Sequence, residues 1–518
     1  MFLGGSRAEW GLVTKLSTHT NRWGISLIAF AGLALLLSLT PPASAQSRSS
    51  QVVVLEDAGA GNGPELAVQG LGGGVEREIP LIRGFSARVP RSAVRALRGT
   101  PGVLSVHADR RFKLRSTIDA SLAPSTTLGT LRTAIGAETV SGGAADVALI
   151  DSGVSPGAAL AGHVVNGPDF SEDARVDELR HLDAFGHGTH LAGIIAAVAP
   201  QARVVNVKVA DNDGSTTLGR LLSAIDWTVR RGDRDGLNVR TLNLAFGAEP
   251  ERSYRNDPLA FAVERAWADG LTVVTSAGNG GDASESLDSP AYDPYVIAVG
   301  AEDSGGTATL ADDGMALFSS RGSATRSPDV VAPGVAILST RVPGSFLDEA
   351  FPAARIGDGF RGSGTSQAAA VVSGAAALMV GERPGLVPDQ VKALLRSTAR
   401  PLPATDESLQ GAGVVDVAAA TRARPTNLRQ RFPDARIGGW LRGAVSNQFA
   451  VENPAGSRWS GSRWTGSRWT GSRWTGSRWT GSRWTGSRWT GSRWTGSRWT
   501  GSRWTGSRWT SIEWGGGS

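Results

Sequence analysis

Between residues 145 and 300 the chain alternates two apolar patterns, and that alternation limits its folds more than any other feature. Predominantly apolar runs stand at 147–150 (V-A-L-I), 204–209, 242–246, 271–275 and 296–299. Short runs without polar alternation belong to strands buried on both faces. Helical patterns fill the gaps at 191–198, 218–230 and 259–268. Strands and helices in this order build a mostly parallel sheet with helices on both faces, a three-layer α/β fold. Ligands of such sheets sit beyond the carboxyl ends of the strands. The polar residues at that rim are therefore the place to look for function.

Four candidates stand there. Asp151 directly follows the 147–150 run, in I-D-S-G-V, and Asn279 follows the 271–275 run, in S-A-G-N-G-G. His187 opens the 191–198 helix in G-H-G-T-H-L-A-G, and Ser366 opens an Ala-rich helical run in G-S-G-T-S-Q-A-A-A. A Ser hydroxyl is a weak nucleophile until a base takes its proton. Histidine suits that task near neutral pH, and a carboxylate on its far nitrogen fixes the tautomer. A helix-opening Ser can turn its own N–H, and an Asn its amide, toward a developing oxyanion. Taken singly, each residue has a plainer reading: Asp or Asn in a turn, Ser as a helix cap. His190 reads as a structural hydrogen-bonding residue; a His187/His190 metal pair lacks a third ligand. All four motifs together, in the order Asp, His, Asn, Ser, argue for catalysis. That order and the missing G-x-S-x-G elbow exclude an α/β-hydrolase.

These stretches resemble the subtilisin-like serine proteases (subtilases). The resemblance is carried by V-A-L-I-D-S-G-V (147–154), G-H-G-T-H-L-A-G (186–193), V-K-V-A-D-N-D-G (207–214), L-N-L-A-F-G (242–247), T-S-A-G-N-G-G (275–281), D-V-V-A-P-G (329–334) and S-G-T-S-Q-A-A-A (363–370). It spans about 140–423 and implies Ser366 as nucleophile, His187 as general base, Asp151 as its orienting carboxylate and Asn279 as oxyanion donor. It also implies that Asp213-Gly214-Ser215 and Ala245-Phe246-Gly247 are edges pairing with an extended polypeptide substrate. Pairing of that kind reads backbone, so broad specificity would follow. Gln367, Ala370 and Ala245 stand where the family usually has Met, Pro and Ser. No cofactor is implied for catalysis; structural calcium would be in keeping with the family, but no stretch names its ligands. The acidic loops Glu172-Asp173 and Asp177-Glu178 are expected to be solvated surface.

The flanks divide by charge. Residues 1–117 hold 14 basic and 7 acidic groups; 118–455 hold 28 and 39; 456–518 hold 11 and 1. The overall +6 therefore describes no single part, and a whole-chain nucleic-acid binder is a poor reading. A 15-residue apolar run (25–39) after Arg7, Lys15 and Arg22, closed by Ala43-Ser44-Ala45, reads as a signal peptide over residues 1–45. An uncleaved anchor is the alternative, though the run is short for a spanning helix. Residues 46–117 look like the inhibitor-type propeptide of the same family. That implies an intramolecular chaperone and temporary inhibitor, removed by self-cleavage between about Asp109 and Thr127. Its positive charge against the −11 of the next zone favours docking. A catalytic domain over 118–425 and a linker over 426–455 follow.

Residues 456–510 are eleven G-S-R-W-T-like units, which hold 11 of the 17 Trp. A five-residue period fits neither helix nor strand, and Gly and Ser recur in every unit, so the expectation for 456–518 is a disordered tail. A pentapeptide β-helix is the alternative. Arg beside Trp suits stacking and anion contact, so an anionic cell-envelope polymer or surface is the candidate partner; a plain spacer is the bland one. The chain has no Cys, which excludes a disulfide scaffold and a thiolate nucleophile or metal site. The expected protein is an exported endopeptidase, held at the cell surface where the tail is adhesive; the other reading is a non-catalytic scaffold presenting the tail.

Overall fold

The computed structural model describes residues 49–57, 59–114, 124–250, 253–323, 325–403, 405–426 and 430, together with short strands of the repeat between 459 and 515. The expected signal peptide and nearly all of the expected linker lie outside the described residues.

Residues 49–108 form a four-stranded sheet in the order Gly74–Ile79, Gly84–Pro90, Ser49–Glu56, Val103–Ala108, with antiparallel pairing throughout. The sequence predicts one strand over 79–89. Pro80 instead opens a 3-10 turn, Arg83 takes a left-handed φ of 48°, and the chain folds back as a hairpin. One side of the sheet buries Val52, Val54, Phe85, Val89, Val68 and Leu97 in a core of its own. The other side delivers Val53, Leu55, Ile79, Leu81 and Ile82 into the main core of the molecule. Its docking is also polar: Asp109 Oδ1 accepts from Gly219 N at 2.7 Å, Asp226 Oδ1 accepts from Leu81 N at 2.8 Å, and Arg110 pairs with Asp257 at 2.8 Å.

The main sheet runs Gly314–Met315, Ile297–Asp303, Thr272–Ser276, Val239–Leu244, Asp146–Asp151, Val204–Lys208, Val164–Asp169, with Val330–Pro333 also on Ile297–Asp303. All pairs are parallel except that of the first two strands. The expected α/β architecture, with helices packed on a mostly parallel sheet, is thus present. From Asp146–Asp151 the chain runs out to Val164–Asp169, steps back to Val204–Lys208 beside the starting strand, and then crosses to Val239–Leu244 on its other side. The strand order therefore reverses at Asp146–Asp151, where such sheets open a crevice.

Two helices carry the chemistry and pack on each other: His187–Val198 and Thr365–Glu382. The second is buried along its length to Val380, which its small residues allow. A Cβ on Gly374 would stand 2.7 Å from Val198 Cβ, so glycine sets their approach. One surface expectation is corrected: Asp173 is buried and pairs at 2.9 Å with buried Lys208, whose Nζ also donates to the Leu179 and Leu182 carbonyls, so the carboxylate balances a charge that the sheet buries. Asp177 and Glu178 are exposed as expected.

In the repeat, strands of two or three residues pair in parallel and in register across 20 residues: Trp459 with Trp479 and then Trp499, and likewise in three further three-stranded sheets. Four pentapeptides complete each step. The 20-residue spacing of these pairs is four pentapeptides, the spacing that the pentapeptide β-helix alternative would use.

Among the described residues no helix is long and apolar enough to cross a membrane, and no group of three or more His, Asp or Glu is arranged to hold a metal ion.

Candidate active site

Asp151 ends its strand, His187 opens its helix, and Ser366 is the second residue of Thr365–Glu382. Gly188, one residue into the His187 helix, lets them meet: a Cβ there would strike the Gly153 carbonyl and stand 3.1 Å from Asp151 Oδ1. His187 Nδ1 lies 2.8 Å from Asp151 Oδ1, with both side chains buried. That bond fixes the neutral ring with its proton on Nδ1 and leaves Nε2 as the base. Nε2 has no hydrogen-bond partner among the described residues. Burial pushes the His187 pKa down, but the charge and hydrogen bond of Asp151 and the charge of Asp183 outweigh it and hold it above the ordinary imidazole value.

Ser366 Oγ donates to the Ala245 carbonyl at 3.4 Å. The Ser–His hydrogen bond that the chemistry requires is not made here; such bonds tighten when substrate arrives. Asn279 is oriented by Thr365, whose N and Oγ1 both donate to Asn279 Oδ1 at 2.9 Å. This fixes Nδ2 as the outward donor. The absent Cβ of Gly364 marks a point 3.4 Å from Asn279 Nδ2 and 3.7 Å from Ser366 N, so the two donors are neighbours.

The edges expected to bind substrate are occupied by the chain itself. Arg111–Lys113 pairs antiparallel with Ser215–Thr217, Leu114 N donates to Gly214 O at 2.9 Å, and Lys113 bridges Gly247. Gly214 takes a left-handed φ of 76°, and Asp213 Oδ1 stabilises the turn by accepting from Ser215 N and Oγ at 2.9 and 2.6 Å. Asp213 thus serves its own turn. Phe246 is buried in the main core, so only its backbone belongs to the edge. Gln367 is buried, with Oε1 lacking a partner among the described residues, and Ala370 lies inside the helix.

Three residues were missed in the sequence. Ser152 Oγ lies 2.7 Å from Asp183 Oδ1 and 3.2 Å from Asp151 Oδ1, and it accepts from Gly188 N at 3.0 Å. Asp183 also accepts from Gly186 N and Thr189 N, each at 2.7 Å, so it caps the His187 helix. Asp183 stands three residues before the Gly186 N-cap, outside the position a cap signal occupies, so no local pattern marked it. Thr365, the orienter of Asn279, was legible only as the neighbour of Ser366. His190 is structural: Nε2 lies 3.2 and 3.1 Å from the carbonyls of Ile337 and Phe360, and burial, with the His187 charge, lowers its pKa to about 4.

Comparison with known proteins bears on the family and the fold. The family model described as "Subtilase family" matches residues 142–414. Serine protease AprX of Bacillus subtilis is 34% identical over 297 residues, 54% of this chain and 66% of that one. Subtilisin DY of Bacillus licheniformis is 34% identical over 291 residues, 53% of this chain and 90% of its own. Among solved structures, fervidolysin of Fervidobacterium pennivorans, a keratinolytic enzyme related to subtilisin, shares the fold with a TM-score of 0.58 at 24% identity, covering 73% of this chain and 62% of that one.

Proposed function

The chain belongs to the subtilase family of serine endopeptidases, and from that premise we propose an exported enzyme that matures by cutting itself and hydrolyses polypeptides through Ser366, His187 and Asp151. The observation that carries the reading is the buried 2.8 Å His187–Asp151 pair at the rim where Ser366 opens its helix.

Each step uses a named atom. A peptide extended between the Gly214 and Gly247 edges presents its carbonyl to Ser366 Oγ. His187 Nε2 takes the hydroxyl proton as Oγ bonds to the carbonyl carbon, and Asp151 stabilises the imidazolium. Ser366 N and Asn279 Nδ2 donate to the oxyanion, the second contributing about 3 kcal/mol. His187 then passes its proton to the leaving amine, and water, activated by the same Nε2, hydrolyses the acyl-enzyme.

Self-maturation has a direct motive in the antiparallel pairing of Arg111–Lys113 with Ser215–Thr217, which resembles a bound substrate strand. Export rests on the 25–39 run and the small residues that follow it. The Arg/Trp repeat is proposed to hold the enzyme on an anionic envelope polymer or surface. The test is labelling of the secreted protein by a fluorophosphonate, with intact mass before and after maturation. Labelling lost in Ser366→Ala, which also stays unprocessed, is expected; labelling or maturation that survives Ser366→Ala overturns the reading. Equal retention of full-length and 455-truncated protein on cell envelopes would end the adhesion proposal alone.

A further inference from the structure

Residues 110–114 lie extended along the catalytic domain, and their side chains alternate. Arg111 and Lys113 are exposed, while Phe112 and Leu114 are buried. Arg110 shares the inward side with Phe112, and its guanidinium carbon stands 4.7 Å from the centre of that ring. Main-chain bonds hold it there. The Arg110 carbonyl accepts from Leu218 N at 2.9 Å, next to the pairing of Arg111 with Thr217.

The side chain ends in a formed site. Arg110 Nη2 donates to Asp257 Oδ2 at 2.8 Å and to Ser289 Oγ at 3.0 Å. The same Asp257 oxygen accepts from Ser289 Oγ at 2.9 Å and from the Tyr292 hydroxyl at 2.7 Å. Burial and the Asp257 charge push the Tyr292 pKa up, so its hydroxyl stays a donor. Asp257 is 1% exposed, and its other oxygen caps the Pro258–Ala268 helix by accepting from Leu259 N at 2.9 Å. Ser289 N donates to the Ala248 carbonyl at 2.8 Å, one residue along from the Gly247 that Lys113 bridges. The carboxylate is thus aimed by the catalytic domain, and the guanidinium is the part supplied by the amino-terminal segment. A charge buried this deeply is costly without an opposite charge beside it.

Release of the amino-terminal segment takes that guanidinium away and opens the site to substrate. The register gives the position it reads. Lys113 faces Gly247, and two residues back along that edge the Ala245 carbonyl accepts from Ser366 Oγ. In an antiparallel pairing the residue attacked is therefore two beyond the place of Lys113, and five beyond the place of Arg110.

We propose that Asp257, Ser289 and Tyr292 form a guanidinium site that favours substrates with Arg at the fifth residue before the one whose carbonyl is attacked. This rests on the endopeptidase reading and adds a side-chain requirement to the broad specificity expected from backbone pairing. The test compares kcat/KM of the secreted mature protein for acetylated hexapeptide anilides X-Arg-Phe-Lys-Leu-Arg, in which X is Arg, citrulline or Ala and the rest follows residues 111–115. Citrulline keeps the shape of Arg and loses its charge. The Arg peptide should be favoured about 10-fold or more over both others, the worth of a hydrogen bond to a charged group. In Asp257→Asn, and in Asp257→Ser as a second variant, the peptides should be cut alike; both residues can still cap the helix, and fluorophosphonate labelling reports that the enzyme is folded. The native series decides by itself where a variant does not label. Equal turnover of the peptides by the native enzyme, or an undiminished preference in labelled variants, overturns the site while leaving the endopeptidase standing. Labelled native enzyme that cuts none of the peptides overturns the site as well. No turnover and no labelling overturns the endopeptidase reading and the site with it.

Discussion

His187 Nδ1 stands 2.8 Å from Asp151 Oδ1, and the same oxygen accepts from Ser152 N at 2.8 Å. Two donors on one buried carboxylate oxygen hold it in place to stabilise the imidazolium that forms. The His187 pKa is raised because that attraction exceeds the cost of burial. The base is active when neutral, so kcat/KM should rise with pH through a value above the ordinary imidazole range. Asp151→Asn keeps the shape, loses the tautomer, and should lower kcat by about 10⁴-fold. A pH–rate profile and single-turnover kinetics check both; an acidic limb below pH 6 contradicts the first.

Asp183 sits behind this pair. The single Ser152 hydroxyl proton has two acceptors, Asp183 at 2.7 Å and Asp151 at 3.2 Å, and the shorter contact is with Asp183. Asp183 is therefore a positioning residue that also adds negative charge near His187. Asp183→Asn should move the acidic limb of the profile downward, because one of the charges raising the His187 pKa is gone. It should also cost about 1 kcal/mol through the weakened helix cap. Loss of stability with an unmoved pH profile would reduce Asp183 to a cap.

Asn279 has its amide turned by two bonds from Thr365. Asn279→Leu should reduce kcat by about 10²–10³-fold with KM little altered, because the missing bond forms only as the oxyanion does. Thr365→Val should repeat part of that loss by freeing the amide to rotate. Steady-state kinetics of both variants, with fluorophosphonate labelling retained, are the check.

Gln367 follows the nucleophile and buries an amide oxygen that has no partner among the described residues. Such an acceptor costs about 1–3 kcal/mol. Gln367→Met fills a similar volume without it, so thermal and denaturant midpoints should rise. A fall in stability would mean the amide is satisfied in solution, by water or by rearrangement.

Much of this site was legible because its parts are local. Asp151, His187 and Ser366 each close or open an element whose apolar pattern is continuous, so chain order alone brought them to one rim. The hairpin at Pro80 and the burial of Asp173 were hidden for a different reason. One depends on a proline choosing a turn inside an alternating stretch, the other on Lys208 finding its partner across the fold.

The register of the amino-terminal strand gives the last prediction. Phe112 is 2% and Leu114 3% exposed, and they flank Lys113, which bridges Gly247. Lys113 pairs antiparallel with Gly247, and two residues back along that edge Ala245 accepts from Ser366 Oγ; by that count the bond cut is expected to follow residue 115, which lies outside the described residues, within the 109–127 window set by the sequence. The fragment released on maturation should therefore end at Arg115. Added back to the mature enzyme it should inhibit as a product. Burying a side chain of this size is worth about 1.5–3 kcal/mol, so Phe112→Ala should raise Ki by about 10- to 150-fold. Mass spectrometry of the released fragment and inhibition kinetics measure the two halves separately. A fragment ending elsewhere rejects the register, and an unchanged Ki in Phe112→Ala rejects the contribution of that contact.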